Sequence, residues 1–466
     1  MILRSKKMKF MEKVFTAKKS EKTFVNISRR FAAFLAAFLL VFAVASCDHG
    51  NGGAANSDNG SGTDTGNIEN ITTYNISISN GIEHGSVTAS VQSAQAGATV
   101  TLTATPEESY VLDYYSVTDA DSNAIAVTNG SFVMPASNVT VSATFLTAHL
   151  VTFNSQGGSS VASQQVGDGR TASRPANPTR QGLTFVGWYN GNNTTQFDFT
   201  TPITTPVTLN AKWSVTYIGA DGTAQTLPES DFTILDGSEG ENNGYGGRNI
   251  YLSAGTYVVN TTFNYSNNGA LIIHLQGNVN IILCDGATME IYGSPYDGFD
   301  GTEYNGTESI STYDLAIYGQ TQGTGRLEIN NALSAVDVKN FNFYGGTLSV
   351  EVNSSSQKII NVSENCNILG GKVTIPGAFD NPHKAIEIMN GTLTLGYRNS
   401  DDYISFRNDR DMFAGDGEIS VTGNGTVQIA NGQTMTDGTN NYSGTLTSEQ
   451  INALTGKTLC PVVNNQ

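Results

Sequence analysis

The residues of this sequence that could do chemistry are carboxylates near its C-terminal end. Asp401, Asp402 and Asp411 belong to the densest acidic stretch, with Arg407 and Arg410 among them. Carboxylates at this density could bind Ca²⁺, or could act as the acid and base of glycoside cleavage if two of them faced one substrate. Because neither EF-hand nor nonapeptide calcium-repeat spacing is present, they are only weak calcium candidates. In so acidic a chain, we favour a solvated face.

Other motifs for catalysis and metal binding are absent from the sequence. The five His residues are scattered without an HxH or HExxH pattern, and neither GxSxG nor a phosphate-binding glycine loop occurs. We therefore predict no catalytic residue, no resident metal and no cofactor. A polysaccharide lyase or glycoside hydrolase is the alternative. A hydrolase would require a carboxylate pair on neighbouring coils, and a lyase would require Ca²⁺-binding acids together with a Lys or Arg base.

Cys47 is the residue whose context predicts a covalent modification. It follows an apolar run from Phe31 to Ala45, and residues 1–46 contain ten Lys or Arg. The run is shorter than the roughly 20 residues of a spanning helix and is typical of a signal peptide. Val44-Ala45-Ser46-Cys47 resembles the lipobox of bacterial lipoproteins. The resemblance implies a lipid anchor on Cys47 and an outward-facing position in the cell envelope, at the outer membrane. An ordinary signal with a nearby cysteine is the alternative.

The net charge of the chain limits the partners that it can bind. The chain has 24 basic and 41 acidic residues, a net charge of −17, and removal of residues 1–46 leaves 14 and 39, a net charge of −25. Such a surface repels nucleic acid, which we exclude as a partner.

Cys284, Cys366 and Cys460 are far apart and odd in number, so they predict buried free thiols and no disulfide framework.

The elements that position these residues are strands and turns. With 50 Gly among 466 residues and only 14% charged residues, the composition excludes a coiled coil and a charge-driven disordered chain. It favours an all-β extracellular protein. Residues 47–70 are almost free of apolar side chains and predict a flexible linker that holds the folded part away from the membrane.

Residues 71–147 show the period-two alternation of short strands, at Tyr74–Ile78, Gly85–Ala89, Gly97–Pro106 and Val139–Phe145. The order A-x-x-G-x-x-V-T-L-T-A-x-P, F-x-M-P, V-T-V-x-A-x-F resembles the divergent internalin B-repeat. Ser109-Tyr110 and Tyr114-Tyr115 stand where that family usually has Gly-Tyr and a later Trp. The resemblance implies a small β module.

Residues 148–213 resemble the Listeria–Bacteroides repeat, the internalin B-repeat proper. The matching positions include Gly157-Gly158, Pro178, Arg180, Gly182, Phe185–Tyr189 and Val207–Trp213. The resemblance implies a β-grasp-like spacer or interaction module of a surface protein. Trp188 and Trp213 could stack on sugars, but a module of this size needs large aromatic side chains in its core, which is the role we predict.

Residues 214–466 contain a repeat with a period of 20 to 26 residues. Tyr292, Tyr318 and Tyr344 recur every 26 residues within apolar-Tyr-Gly triplets, and a Gly-x-apolar-x-apolar pattern begins at glycines 325, 346, 371, 391 and 425. One strand pattern per repeat predicts a right-handed parallel β-helix, because the stacking of coils buries the apolar face that a single repeat would leave exposed. A leucine-rich repeat lacks support, since no L-x-x-L-x-L pattern occurs. The order of these apolar and glycine motifs along the chain also resembles β-helical regions of bacterial surface proteins. Residues 294–313 predict a loop leaving one coil.

Within these coils, the pattern predicts which side chains face inward. Leu348, Val373 and Leu393 should be buried, while Thr347, Lys372 and Thr392 should form an outward polar ladder.

Together these features predict a non-catalytic cell-surface lipoprotein. Two spacer-like modules would present a β-helix for adhesion, with a polysaccharide or a host surface protein as its partner. The lyase or hydrolase is the alternative function, and a carboxylate pair facing a groove would favour it.

Overall fold

A computed structural model describes residues 71–191, 194–242, 248–264, 271–292, 299–300, 302–304, 309–332, 335–352, 358–375, 384–388, 391–406, 418–421 and 424–462. The predicted signal peptide, the linker with Cys47, and Asp411 lie outside the described residues. The described part contains thirty-nine strands, one short α-helix and one 3₁₀ turn at Glu229–Asp231. The predicted all-β class is confirmed.

The first strands alternate buried and exposed side chains. They are β1 (Thr73–Ile78), β2 (Gly85–Ala89), β3 (Ser93–Gln95), β4 (Thr99–Pro106), β5 (Tyr110–Asp119), β6 (Ala124–Ile125), β7 (Ser131–Val133) and β8 (Val139–Asn154). β8 pairs parallel with β1 and antiparallel with β5, while β2, β4 and β7 form a separate antiparallel sheet. Val100, Phe132 and Val141 belong to one buried apolar cluster that these strands share.

A second apolar cluster follows on the same long strand. Its strands are the end of β8 with β9 (Gln164–Gly167), β10 (Arg170–Thr171), β11 (Thr184–Asn190), β12 (Pro202–Ile203) and β13 (Val207–Ile218). β13 pairs parallel with β8 and antiparallel with β11. Trp188 and Trp213 are fully buried in this cluster, which confirms the core role predicted for both.

Two strands run across the predicted module boundaries. Position 147/148 lies inside β8, whose first half pairs with β5 and whose second half pairs with β9 and β13. Position 213/214 lies inside β13, which continues into a hairpin with β14 (Ala224–Pro228). Successive apolar clusters are therefore joined by continuous strands rather than by flexible loops.

The remaining strands are short and numerous. They are β15 (Thr233–Ile234), β16 (Glu241–Asn242), β17 (Arg248–Val259), β18 (Phe263–Asn264), β19 (Leu271–Leu283), β20 (Thr288–Tyr292), β21 (Phe299–Asp300), β22 (Thr302–Tyr304), β23 (Ser309–Ser311), β24 (Asp314–Gly319), β25 (Arg326–Ala332), β26 (Val336–Val338), β27 (Asn340–Phe343), β28 (Thr347–Val352), β29 (Lys358–Val362), β30 (Cys366–Ile368), β31 (Lys372–Thr374), β32 (Lys384–Ile388), β33 (Thr392–Leu395), β34 (Tyr403–Ser405), β35 (Glu418–Val421) and β36 (Thr426–Ile429).

These strands pair in three parallel ladders. The first ladder contains β17, β19, β21, β26, β29, β32 and β35. The second contains the last residues of β17 and β19, then β24, β27, β30, β33 and β36. The third contains β18, β20, β25, β28, β31 and β34. The chain visits the ladders in this order repeatedly, which we interpret as stacked coils.

Alternate side chains of the ladders fill one apolar core. Leu348, Val373 and Leu393 are fully buried, and Thr347, Lys372 and Thr392 are half-buried, so the predicted inward and outward positions are confirmed. Part of the expected loop at residues 294–313 returns to this core. Phe299 is fully buried and β21 pairs with β19 and β26, so the loop prediction is wrong there. The segment returns to the core because the side chain of Phe299 is apolar and packs among the buried side chains of the neighbouring strands.

The predicted outward ladder of Thr347, Lys372 and Thr392 is wrong for Thr392. Thr347 pairs with Lys372 in the third ladder, but the next partner of Lys372 is Tyr403. Thr392 lies in the second ladder and pairs with Thr426. The Gly-x-apolar-x-apolar pattern therefore occurs on strands of two different ladders. The spacing between its glycines is for this reason not the length of one coil.

Glycine 346 shows why the corner before the third ladder needs glycine. It has a φ of +93°, and a Cβ there would lie 2.8 Å from the Gly325 carbonyl oxygen of the preceding coil. The close approach lets consecutive corners stack backbone on backbone.

The last coils are covered by the C-terminal segment. It contains β37 (Met435–Thr436), β38 (Asn441–Tyr442), α1 (Ser448–Ala453) and β39 (Thr458–Pro461). β39 pairs antiparallel with β34, which closes an edge that could otherwise pair with another chain. Thr447 and Gln450 form a capping box at the start of α1.

Two of the three thiols are buried as predicted. Cys284 and Cys366 lie in the apolar core, but Cys460 is exposed. The prediction is wrong for Cys460 because it occupies the outward position of β39, between buried Leu459 and Pro461.

Candidate functional site

A cleft of about 320 Å³ lies where the chain turns from the second to the third ladder. We call it the corner cleft. Its walls come from the corners of four coils and from the β13–β14 hairpin. The lining residues on which the argument depends are Gln322, Tyr344, Lys372, Arg398, Asn399, Asp401 and Asp402.

An aromatic stack supports one wall of the corner cleft. Tyr217 of β13 contacts Tyr318 edge-on at 5.1 Å between ring centroids, and Tyr318 stacks on Tyr344 at 5.1 Å. The guanidinium of Arg398 lies 5.2 Å from the Tyr344 ring centroid. Both faces of Tyr344 are therefore covered, so the ring supports the cleft and does not offer a stacking surface to a sugar.

Arg398 is held in the protein by backbone oxygens. Its Nη1 donates to the Tyr344 carbonyl oxygen at 2.5 Å, and its Nη2 donates to the Ala220 carbonyl oxygen at 2.9 Å. Burial lowers the pKa of Arg398, and burial raises the pKa of Tyr318 to about 12. At neutral pH Tyr318 stays neutral, since a pKa of about 12 is far above 7.

The two carboxylates of the corner cleft also have partners. Lys372 Nζ lies 2.8 Å from Asp401 Oδ2 on the surface. Hydrogen bonding and charge from Lys372 lower the pKa of Asp401, and the same contact raises the pKa of Lys372. Asp402 Oδ2 accepts hydrogen bonds from the backbone N–H groups of Arg398 and Asn399, at 2.7 and 2.9 Å.

The calcium candidates are only partly brought together. Asp401 is exposed, but Asp402 is 4% exposed, so the prediction of a solvated face is wrong for Asp402. It is buried because it closes the 398–402 turn. Asp411, Arg407 and Arg410 lie outside the described residues, and within the described ranges no three His, Cys, Asp or Glu side chains are grouped closely enough to hold a metal.

Tyr318, Tyr344 and Arg398 were missed as members of a site. The signal that could have found the tyrosines is their 26-residue recurrence, which places them on successive coils. Arg398 carries no such signal, since it follows the last β33 residue by three positions without a repeat of its own.

The second apolar cluster is docked on the first coils beside the corner cleft. Gln320 Nε2 donates to the carbonyl oxygens of Gly182 and Thr216, at 2.9 and 3.0 Å. Asn260 Nδ2 donates to the Gln181 carbonyl oxygen at 3.1 Å, and Arg180 pairs with Glu229 at 2.8 Å. Arg180 and Gly182 are motif positions of the repeat, so the turn that contains them attaches the repeat to the coils.

Two family models match the chain. Residues 74–149 match the divergent InlB B-repeat domain, and residues 149–212 match the Listeria-Bacteroides repeat domain. Both predicted resemblances are confirmed, and both families are of the kind found in bacterial surface proteins. No curated protein and no solved structure matches the chain. Within the described residues, no helix is long and apolar enough to cross a membrane.

Proposed function

We propose that this protein is a non-catalytic lipoprotein of the bacterial cell surface that binds uncharged glycan and so mediates adhesion. Cys47 would carry the lipid anchor in the outer membrane, and the residues after it would act as the tether. The two surface-protein repeats support an extracellular role. Their continuous strands β8 and β13 would join the two repeats to each other and to the coils without a flexible loop.

The observation that carries the binding role is the internal pairing of the charges in the corner cleft. Its lining contains two cations, Lys372 and Arg398, and two carboxylates, Asp401 and Asp402. Each has a partner within the protein, and their formal charges cancel. A neutral sugar would then meet amide and hydroxyl groups, such as Asn399 and Gln322, without having to neutralise a charge. Each such hydrogen bond contributes about 0.5–1.5 kcal/mol, so we expect weak single-site binding that is strengthened by multivalency.

The same pairings argue against the lyase and hydrolase alternative. A lyase base must lose its proton near neutral pH, but the contact with Asp401 raises the pKa of Lys372. The acid of a glycosidase needs a raised pKa, but the contact with Lys372 lowers the pKa of Asp401. Asp402 accepts two backbone N–H hydrogen bonds on one oxygen and is 4% exposed, so its carboxylate is taken up by the 398–402 turn.

The test combines binding and turnover on the full-length chain. We expect binding to uncharged glycans on an array, weakened in Gln322→Ala and Asn399→Ala. Gln276→Ala is the matched control, because Gln276 is an exposed glutamine on β19 outside the corner cleft. Uronic-acid and neutral polysaccharides incubated with the protein should give neither unsaturated products nor new reducing ends. Such products, lost on substitution of Asp401 or Asp402, would replace the proposal with an enzyme.

A further inference from the structure

The second ladder presents two outward columns of polar side chains. The register places Asn280, Ala316, Asn342, Asn367, Thr394 and Gln428 in one column, in which the buried Ala316 is the one apolar member. Two residues earlier on each strand, the other column contains Asp314, Asn340, Asn365, Thr392 and Thr426. We call these eleven residues the amide face. Asp314, at one end, is the single ionisable side chain among them.

Hydrogen bonds between coils order the amide face. Asn367 Nδ2 donates to Asn342 Oδ1 at 2.8 Å, and Gln428 Nε2 donates to Thr394 Oγ1 at 3.3 Å. In the other column, the Asn365 backbone N–H donates to Asn340 Oδ1 at 2.9 Å. Because these side chains are held between coils, that part of the face is preorganised, and binding would cost little side-chain entropy there.

The ladder leaves part of each amide available. A side-chain amide has two N–H donors and an oxygen with two lone pairs. The contact between Asn367 and Asn342 uses one N–H of the former and one lone pair of the latter. Donors and acceptors therefore repeat about 4.8 Å apart on the coils from Asn342 to Gln428, and the column from Asn280 to Gln428 is roughly 24 Å long.

The other two ladders differ from the amide face in charge. Outward positions of the first ladder include His274, Asp337 and Glu387. Those of the third ladder include Glu328 and Lys372. In a chain with a net charge of −17, an almost uncharged face of this length disfavours anionic ligands, since it offers no cation to them.

We infer that the amide face binds an extended, uncharged polysaccharide chain along the direction in which the coils stack. This inference rests on the proposed glycan-binding function and names the ligand class and a surface for it beyond the corner cleft. Sugar hydroxyls both donate and accept, so they match the amide and hydroxyl side chains on the four coils from Asn342 to Gln428, which present both groups. The contact is repetitive, so the affinity should rise with the length of the polysaccharide.

The experiment introduces a carboxylate on one face or the other. Thr394→Asp changes the amide face, and Thr374→Asp is its matched control on the third ladder. Both threonines are half-buried and lie between two buried apolar residues. Gln428→Glu, which keeps the side-chain shape, is a second variant in case Thr394→Asp unfolds. Urea unfolding establishes that each variant is folded.

Affinity electrophoresis of the full-length chain in gels containing hydroxyethyl cellulose measures binding, with carboxymethyl cellulose as the anionic counterpart. We expect retardation by the neutral polymer, weakened about tenfold in Thr394→Asp and Gln428→Glu and unchanged in Thr374→Asp, since an unpaired carboxylate must be desolvated at the contact. Wild-type retardation of both amide-face variants, or no retardation of the wild type, would overturn the inference. Array binding that is lost only in the corner-cleft variants would leave the proposed function standing.

Discussion

The Cys284 thiol and the Gly182 carbonyl oxygen are in contact, at 3.6 Å from sulfur to oxygen. Gly182 belongs to the Listeria-Bacteroides repeat, and Cys284 follows the last residue of β19 in the coils. Gly182 has a φ of +69°, and a Cβ added there would overlap the Cβ and Sγ of Cys284. The repeat is therefore seated on the coils through a position that only glycine can occupy.

Gly182→Ala should destabilise the protein by at least about 2 kcal/mol. The left-handed backbone costs an L-residue about 1–2 kcal/mol, and the overlap with Cys284 adds an overpacking cost. Gly169→Ala is the control, because Gly169 has a φ of +72° and open space around its Cα. Urea unfolding should show a loss of only about 1 kcal/mol for the control. Equal losses would mean that residue 182 does not touch the coils.

Leu348→Asp should cost at least about 4 kcal/mol, because it removes a fully buried side chain and buries a charge. Thr347→Asp, one residue away, should stay within about 0.5 kcal/mol of the wild type. Its register neighbours, Arg326 and Lys372, are both cationic and would accept a carboxylate between them. Similar losses at both positions in chemical unfolding would show that the register of β28 is wrong.

The inward positions of the coils could be predicted from the sequence because period-two alternation depends on local side-chain chemistry. Leu348, Val373 and Leu393 each follow a Gly-x step and are all buried. The partners of each strand could not be predicted in the same way. Thr392 pairs in another ladder than Lys372 because corners of different length separate the strands, and no local pattern records which ladder comes next.

The corner cleft was harder to predict than the core. It is made by residues from four corners and the β13–β14 hairpin, and Arg398 reaches Ala220 across 178 residues of sequence. Such contacts depend on the stacking of coils and not on any neighbouring residues in the chain. The acidic stretch did indicate the place, since Asp401 and Asp402 line the cleft, but their pairing with Lys372 and with backbone N–H groups has no sequence signature.

Cys47→Ala should leave the protein without its predicted lipid anchor. A diacylglycerol thioether cannot form on alanine, so the variant should be soluble if it is secreted. Membrane fractions washed with carbonate should retain the wild type and release the variant. A Ser46→Gly variant, which keeps a small residue before Cys47, serves as the control and should stay in the membrane. Equal retention of the Cys47→Ala protein would contradict lipidation at this residue.

The Lys372–Asp401 pair should make a small, pH-dependent contribution to stability. The pKa of Asp401 is lowered by Lys372, so the contribution is present above the ordinary pKa of about 3.8 and is lost as the pH falls through the lowered value. The pKa of Lys372 is raised, so the contribution is also lost as the pH rises through that value. Lys372→Met should return the pKa of Asp401 toward its ordinary value, as NMR titration of its carboxyl carbon would measure.

Salt provides the control for this pair, because the contact is exposed and should weaken as ionic strength rises. An Asp401 pKa that is the same in the wild type and in Lys372→Met would show that the ion pair does not form in solution.

Cys460 should be the thiol that reacts first in the native protein. The thiolate is the nucleophile, and burial raises the pKa of Cys284 to about 12 and raises the pKa of Cys366 as well, so both are protonated as well as shielded. Cys460 is exposed on β39. In a Cys47→Ala background, iodoacetamide should label Cys460 in the folded protein, and Cys284 and Cys366 only after unfolding in urea, as peptide mass spectrometry would show. Cys460→Ser should abolish native labelling. Rapid labelling of Cys366 in the folded protein would mean that the coil containing β30 is not packed inside the core.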